Sequence, residues 1–100
     1  MQLWKISPQE GFSVLGGSPR SQAATMVLAP GEVSGEGFST HGGDQWLFVL
    51  SGRGRAVVGE QTEEIGPGSL VLIEAGEPHR IENAGEEALV TLNFYAPPEY

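Results

Sequence analysis

The sequence predicts an all-β fold built from short antiparallel strands. Fifteen glycines and seven prolines in 100 residues indicate many tight turns. The apolar residues fall into short β-branched and aliphatic runs that turn residues bound, and no segment keeps an apolar period of 3.6 residues. A hydrophobic content of 39% is ordinary for a folded protein. We therefore expect a single domain over residues 1–100 with one core.

Nine runs of this kind are candidate strands. In chain order they are Leu3 to Ile6, Ser13 to Leu15, Gln22 to Leu28, Gln45 to Leu50, Arg53 to Gly59, Thr62 to Ile65, Leu70 to Ile73, His79 to Asn83 and Leu89 to Tyr95. Glycine and proline punctuate the chain after most of them, as at Ala29-Pro30-Gly31, Ser51-Gly52 and Gly66-Pro67-Gly68. The segment from Ala96 to Tyr100 contains two prolines, which cannot continue a central strand, so we expect an extended tail there.

Alternation along the fourth strand assigns its two faces. If Gln45 points inward, Leu47 and Val49 follow it, and the opposite face carries an apolar set: Trp46, Phe48 and Leu50. A strand that is apolar on both sides needs a second surface to cover it. Another part of the chain or another subunit could supply that surface, and we predict a homodimer.

Charge and composition exclude several classes of protein. The net charge is −8, and five lysine and arginine residues are too few for the basic patch that nucleic acid requires. No apolar run approaches the 18 or so residues of a membrane span, so we expect no membrane partner and a cytoplasmic protein. The absence of cysteine excludes disulfides, thiolate ligands and thiol nucleophiles.

The chain has two histidines, and each lies beside a predicted strand. His41 precedes the strand that contains Trp46, and His79 opens the strand that contains Ile81. The same alternation that points His79 inward also points Ile81 and Asn83 inward. Imidazole is the commonest metal-ligating side chain, and neighbouring antiparallel strands can bring two of them together. The pair therefore suggests a metal site.

The residues around His79 resemble the second motif of the cupin family. That motif reads glycine, five residues, proline, one, glycine, two, histidine, three, asparagine. Residues 68–83 match it at every position but one, through Gly68, Gly76, His79 and Asn83, with Glu74 where proline is expected.

The first cupin motif is matched more weakly, over about residues 33–52. Anchored on Gly52, it places His41 at the second histidine position, Gln45 at the glutamate position and Ser39 at the first histidine position. A rival register that begins at Gly35 would put residues without ligand side chains on ligand positions. We prefer the register anchored on Gly52.

The resemblance implies a single antiparallel β-barrel of jelly-roll type. It also implies one divalent ion (Zn, Ni, Mn or Fe) on His41, His79 and Gln45, with Asp44 as an alternative to Gln45 if the strand carries a bulge. The two imidazoles should then lie within about 5 Å of each other. Ser39, Met26 and Asn83 are further candidates for the pocket. Their simpler roles are a turn residue, a gap filler and a partner for backbone groups at the following turn, respectively.

Two functions remain open from the sequence. The first is a metal-dependent small-molecule enzyme, isomerase-like or dioxygenase-like, whose ion polarises an oxygen or activates dioxygen. The second is a non-catalytic barrel that binds or senses a small ligand with the same residues. An amide in place of a carboxylate weakens a metal site, which keeps the second possibility open.

Overall fold

Eight β-strands form the regular structure in the computed structural model, which describes residues 1–35 and 37–100. They are β1 (Gly11–Ser18), β2 (Ser21–Leu28), β3 (Asp44–Ser51), β4 (Gly54–Val58), β5 (Gln61–Ile65), β6 (Leu70–Ile73), β7 (His79–Glu82) and β8 (Leu89–Ala96). The all-β fold predicted from the turn-rich composition is confirmed. Within those two ranges, no helix is long and apolar enough to cross a membrane.

The strands form two antiparallel sheets. One has five strands in the order β1-β2-β8-β3-β6, and the other has three in the order β5-β4-β7. Because β8 returns to lie between β2 and β3, the topology is that of a jelly roll rather than a simple meander. The core lies between the two sheets and takes side chains from both: Leu28, Leu47, Val49, Ala56, Ile65, Ile81 and Leu89.

The predicted faces of β3 are confirmed. Gln45, Leu47 and Val49 are buried, whereas Trp46 and Leu50 on the opposite face are 42% and 43% exposed. On β7, His79 and Ile81 are buried in the same alternating way. These two strands therefore direct Gln45 and His79 into the interior between the sheets.

The predicted strand from Leu3 to Ile6 is wrong. Residues 1–9 form no strand, and the segment packs instead through the indole of Trp4 against the bare backbone of Gly16 on β1. A Cβ at Gly16 would collide with that ring. Trp4 therefore contributes side-chain packing, and the segment forms no ladder hydrogen bonds.

The connection between β2 and β3 crosses to the three-stranded sheet and positions His41. It makes isolated bridges from Val33 to Glu82 and from Ser39 to His79. At the second bridge the backbone N–H of Ser39 donates to the His79 carbonyl, and the His79 N–H donates to the Ser39 carbonyl, both at 2.9 Å. The His41 carbonyl then accepts a bond from the backbone N–H of Gly76 at 2.9 Å.

Candidate functional site

Both histidines line one cavity of about 250 Å³ between the sheets. Its wall combines aromatic and aliphatic side chains with a small polar group. The lining residues are Phe12, Met26, Ser34, Gly35, Ser39, His41, Gln45, His79, Ile81, Tyr95 and Tyr100. This cavity is the candidate site because it is where the chain's two imidazoles meet.

His79 presents a free ring nitrogen at this cavity. Its Nδ1 lies 3.0 Å from the carbonyl oxygen of Glu77, and a carbonyl can only accept, so Nδ1 carries the proton and donates. Burial lowers the pKa of His79 from 6.5, and the neighbouring His41 adds to this effect, while the bond to the Glu77 carbonyl opposes it. The ring is therefore neutral near pH 7, and Nε2 keeps its lone pair.

His41 is anchored in the same manner by a different group. Its Nδ1 lies 3.1 Å from Oε1 of Glu99, and an ionised carboxylate accepts hydrogen bonds without donating any. Nδ1 therefore carries a proton in this ring too, and in the neutral form of the ring Nε2 is the nitrogen that keeps a lone pair. The two ring centroids are 4.7 Å apart, which confirms the predicted separation of about 5 Å.

Gln45 is oriented by a chain of buried hydrogen bonds with a single allowed direction. Its Nε2 donates to Oδ1 of Asn93 at 3.0 Å, and Nδ2 of Asn93 donates to Oγ1 of Thr91 at 3.0 Å. The Thr91 hydroxyl in turn donates to the Met26 carbonyl at 2.9 Å. Because that carbonyl can only accept, every donor upstream is fixed, and the atom of Gln45 that remains is Oε1.

Oε1 of Gln45 is buried and has no hydrogen-bond partner among the residues that the structure describes. An acceptor left in this condition costs free energy, about 1–3 kcal/mol in typical cases, unless a ligand satisfies it. Nε2 of the His79 ring, and Nε2 of a neutral His41 ring, are two further acceptors in this cavity, and no donor from residues 1–35 or 37–100 bonds to any of the three. Either a cation or a ligand rich in N–H and O–H groups matches this set.

Two further residues that the sequence proposed also line the cavity. Ser39 lies directly opposite His79 in their bridge, so both side chains project to the same face. Met26 contributes its side chain to the wall, while its carbonyl ends the hydrogen-bond chain from Gln45.

Asp44 does not reach the cavity. It is exposed, and its Oδ1 accepts a bond from the backbone N–H of Ala75 at 3.1 Å. The bulge that would have turned it inward is absent at this end of β3, where Asp44 pairs regularly with Ala96. The register shift lies at the other end, between Val49 and Ser51. The expectation that Asp44 could replace Gln45 as a ligand is therefore wrong.

Asn83 also lies away from this cavity, and its expected place in the pocket is wrong. Its Nδ2 donates to the carbonyls of Leu28 and Glu87 at 2.9 and 2.8 Å, and its Oδ1 accepts from the N–H of Gly85 at 2.9 Å. These bonds tie the end of β2 to the turn before β8. The simpler role, a partner for backbone groups at that turn, is confirmed.

The C-terminal residues that the structure describes contact His41, and local sequence patterns did not predict this contact. We call residues 97–100 the strap, and the amide of Gln22 on β2 holds it. Oε1 of Gln22 accepts the backbone N–H groups of Glu99 and Tyr100 at 3.2 and 3.0 Å, and its Nε2 donates to the Tyr100 carbonyl at 2.8 Å. Alternation along β8 could have placed Tyr95 inward, but no local signal marks Glu99.

Two tyrosines form the aromatic side of the site. The ring of His41 lies 5.5 Å from that of Tyr95 and 5.9 Å from that of Tyr100, both edge-on. Burial raises the pKa of Tyr95 and of Tyr100, and their mutual contact raises that of Tyr95 further. Both are therefore uncharged phenols near neutral pH.

Comparison with known proteins identifies the family to which the chain belongs. A family model for the cupin domain matches residues 24–95. A protein of Streptomyces coelicolor, described as uncharacterized, is 37% identical over 59 residues. That match covers 59% of this chain and 55% of the relative, so the chain spans about half the length of its curated relative.

Solved structures agree with the family model. A Bacillus halodurans protein is 29% identical, with a TM-score of 0.87 over 93% of this chain and 74% of its own. A Thermotoga maritima protein, described as a predicted oxalate decarboxylase, is 28% identical, with a TM-score of 0.70 over 77% of this chain and 66% of its own. With the motif around His79 and the two-sheet fold, these matches show that the chain belongs to the cupin domain family.

Proposed function

We propose that the protein is a metal-dependent small-molecule enzyme in which His41, His79 and Gln45 hold one divalent ion. The observation that carries the proposal is the set of three acceptors that line one cavity and that meet no donor among the described residues of the chain. In both imidazoles a hydrogen bond occupies Nδ1 and leaves Nε2 for a ligand, as is usual for metal-binding histidines.

Imidazole suits zinc, nickel and iron, and an amide oxygen is compatible with manganese as well. When bound, such an ion would supply Lewis acidity toward a carbonyl or enolate oxygen, or activation of dioxygen, which corresponds to isomerase-like or dioxygenase-like chemistry. The protein's own part is to orient the substrate and exclude water. Tyr95 and Tyr100, as neutral phenols, can donate hydrogen bonds to a substrate oxygen on the aromatic side of the cavity.

The lining also restricts the substrate. Among the described lining residues none is lysine or arginine, so they offer no cation to pair with a free carboxylate or phosphate. Phe12, Met26 and Ile81 give the wall an apolar part. We therefore propose a small substrate with an apolar portion and an oxygen that the ion would anchor. The solved relative described as a predicted oxalate decarboxylase supports an enzyme rather than a structural module.

The second candidate is a barrel that binds or senses a small ligand without catalysis. It is favoured by one observation: within the described ranges, no three histidine, cysteine, aspartate or glutamate side chains come together as a metal-binding group. A neutral amide is a weak third ligand. The same three acceptors would then receive hydrogen bonds from an N–H-bearing or O–H-bearing ligand.

Metal analysis separates these two functions. Protein purified without chelator or nickel resin should carry a divalent ion near one per chain, and His79→Ala should remove it. Gln61→Ala, which truncates an exposed amide on β5, is the matched control and should retain the ion. If the wild-type protein neither carries metal nor takes up added Zn²⁺ or Co²⁺, the enzyme proposal fails and the ligand-binding barrel replaces it.

We also propose that the protein is a homodimer that pairs through the outer face of β3, β6 and β8. Trp46 pairs with Leu72 on one side and Phe94 on the other, and Phe48 pairs with Leu70. Because each copy carries a net charge of −8, contact through an uncharged surface brings the fewest like charges together, and this face has apolar side chains at each of these positions.

A cytoplasmic location for the protein remains a prediction.

A further inference from the structure

We infer that Glu99 is the positioning residue of His41, and that the strap delivers it to the site. Its carboxylate holds the imidazole in the tautomer whose Nε2 is free for a ligand. The inference deepens the proposed function because it concerns the same histidine. The choice of tautomer, however, can be measured without any metal.

The carboxylate of Glu99 makes two contacts that together fix the ring. Oε1 lies 3.1 Å from Nδ1 of His41 and also accepts the backbone N–H of Gly42 at 3.1 Å. One oxygen therefore joins the imidazole to the main chain immediately after it. The side chains of His41 and Glu99 are 10% and 29% exposed, so water screens this contact only in part.

The strap is itself held, which makes the position of Glu99 reproducible. The amide of Gln22 binds the backbone on both sides of the Glu99–Tyr100 peptide with three hydrogen bonds. The ring of Tyr100 then packs 4.7 Å from that of Phe12 and 5.1 Å from that of Tyr95. Backbone and aromatic contacts thus hold the strap, and the carboxylate remains for His41.

A free neutral imidazole exchanges between two tautomers, and only one of them leaves Nε2 with a lone pair. A carboxylate on Nδ1 selects that tautomer and makes Nε2 more basic. Loss of such a partner typically lowers metal affinity by about 10- to 100-fold. His79 obtains the same effect from the Glu77 carbonyl, so Glu99 gives His41 an equivalent orientation.

The experiment measures the His41 tautomer by NMR of the imidazole nitrogens in metal-free protein, and the affinity for Co²⁺ by absorption. Wild type should carry its proton on Nδ1. Glu99→Ala should mix the tautomers and weaken Co²⁺ binding by about 10-fold or more. Glu99→Gln should retain most of the Nδ1–H tautomer because its amide oxygen still accepts. Glu60→Ala, an exposed carboxylate in the turn between β4 and β5, should change neither quantity.

The second part of the inference is that the strap brings Glu99 to His41. A variant that releases the strap but keeps the carboxylate tests it. Gln22→Leu should shift the His41 tautomer in the same direction as Glu99→Ala, since the carboxylate would no longer be held in place. The inference is overturned if wild-type His41 carries its proton on Nε2, or if Glu99→Ala leaves the tautomer unchanged. If the tautomers behave as expected but wild type binds no Co²⁺, the proposed function fails and this inference stands.

Discussion

Ser39 and His79 exchange a pair of backbone hydrogen bonds, each 2.9 Å long, across an isolated bridge between the β2–β3 connection and β7. Residues directly opposite each other in such a pair project their side chains to one face. Ser39 therefore lies beside His79 on the cavity wall, which is where the cupin pattern expects another histidine.

Restoring that pattern should strengthen metal binding. The double change Ser39→His and Gln45→Glu adds an imidazole and a negative charge, and we expect Zn²⁺ affinity to rise about 100-fold or more. Titration calorimetry with Zn²⁺, Ni²⁺, Mn²⁺ and Fe²⁺ measures the difference. Ser13→His, an exposed position on β1, is the control and should leave the affinity unchanged. Equal affinity in wild type and the double variant would mean that the ligands are misassigned.

The hydrogen bonds that link Gln45 to Asn93 and Thr91 should contribute measurably to the free energy of unfolding. Thr91→Val keeps the side-chain shape but leaves Nδ2 of Asn93 without its acceptor in a buried setting. We expect the free energy of unfolding to fall by about 1–3 kcal/mol in urea denaturation. Thr62→Val on the exposed face of β5 should change it by less than about 0.5 kcal/mol. Equal losses of unfolding free energy in the two variants would show that these buried hydrogen bonds do not orient Gln45.

A charge on the apolar outer face should dissociate the proposed dimer. Leu70 is 60% exposed and lies between Phe48 and the edge of the sheet, so Leu70→Glu would place a carboxylate in the interface. Sedimentation should give twice 10.6 kDa for wild type and 10.6 kDa for this variant. Thr62→Glu adds the same charge to the other sheet and should remain dimeric. A wild-type mass of 10.6 kDa at micromolar concentration would end the proposal.

The buried tyrosine should make the protein sensitive to alkali. Burial raises the pKa of Tyr95 above its ordinary value of 10.0. The unfolded chain therefore loses this proton first, so the contribution of Tyr95 to stability is intact below pH 10.0 and is lost as the pH rises above that value. Tyr95→Phe removes the ionisable group and should flatten the fall in Tm with rising pH. Parallel Tm curves for both proteins would contradict this.

The interior face of the site could be predicted because it depends on local alternation. Period-two patterning placed Gln45, His79 and Ile81 inward, and the spacing of glycines around His79 brought in the cupin pattern. Those signals lie within a few residues of each side chain. The faces of β3 and the separation of the two imidazoles followed from them.

The features that could not be predicted from the sequence depend on contacts between distant parts of the chain. Glu99 reaches His41 from a strap that Gln22, on another strand, binds, and no local pattern encodes such a contact. The segment from Leu3 to Ile6 has the composition of a strand but packs against Gly16 without ladder bonds. Asn83 has the polarity of a pocket residue, yet backbone groups at the far end of the barrel use its hydrogen bonds.

The packing of Trp4 against Gly16 makes Trp4 a fluorescent reporter that is separate from Trp46. The chain has two tryptophans, and they sit in different surroundings. Trp4 covers bare backbone on β1, so its emission should move to longer wavelength when residues 1–9 detach. Trp46 lies between Leu72 and Phe94 on the outer face, and its emission should instead follow protein concentration. Single Trp→Phe variants would thus let one optical method follow detachment of this segment and association of two chains independently.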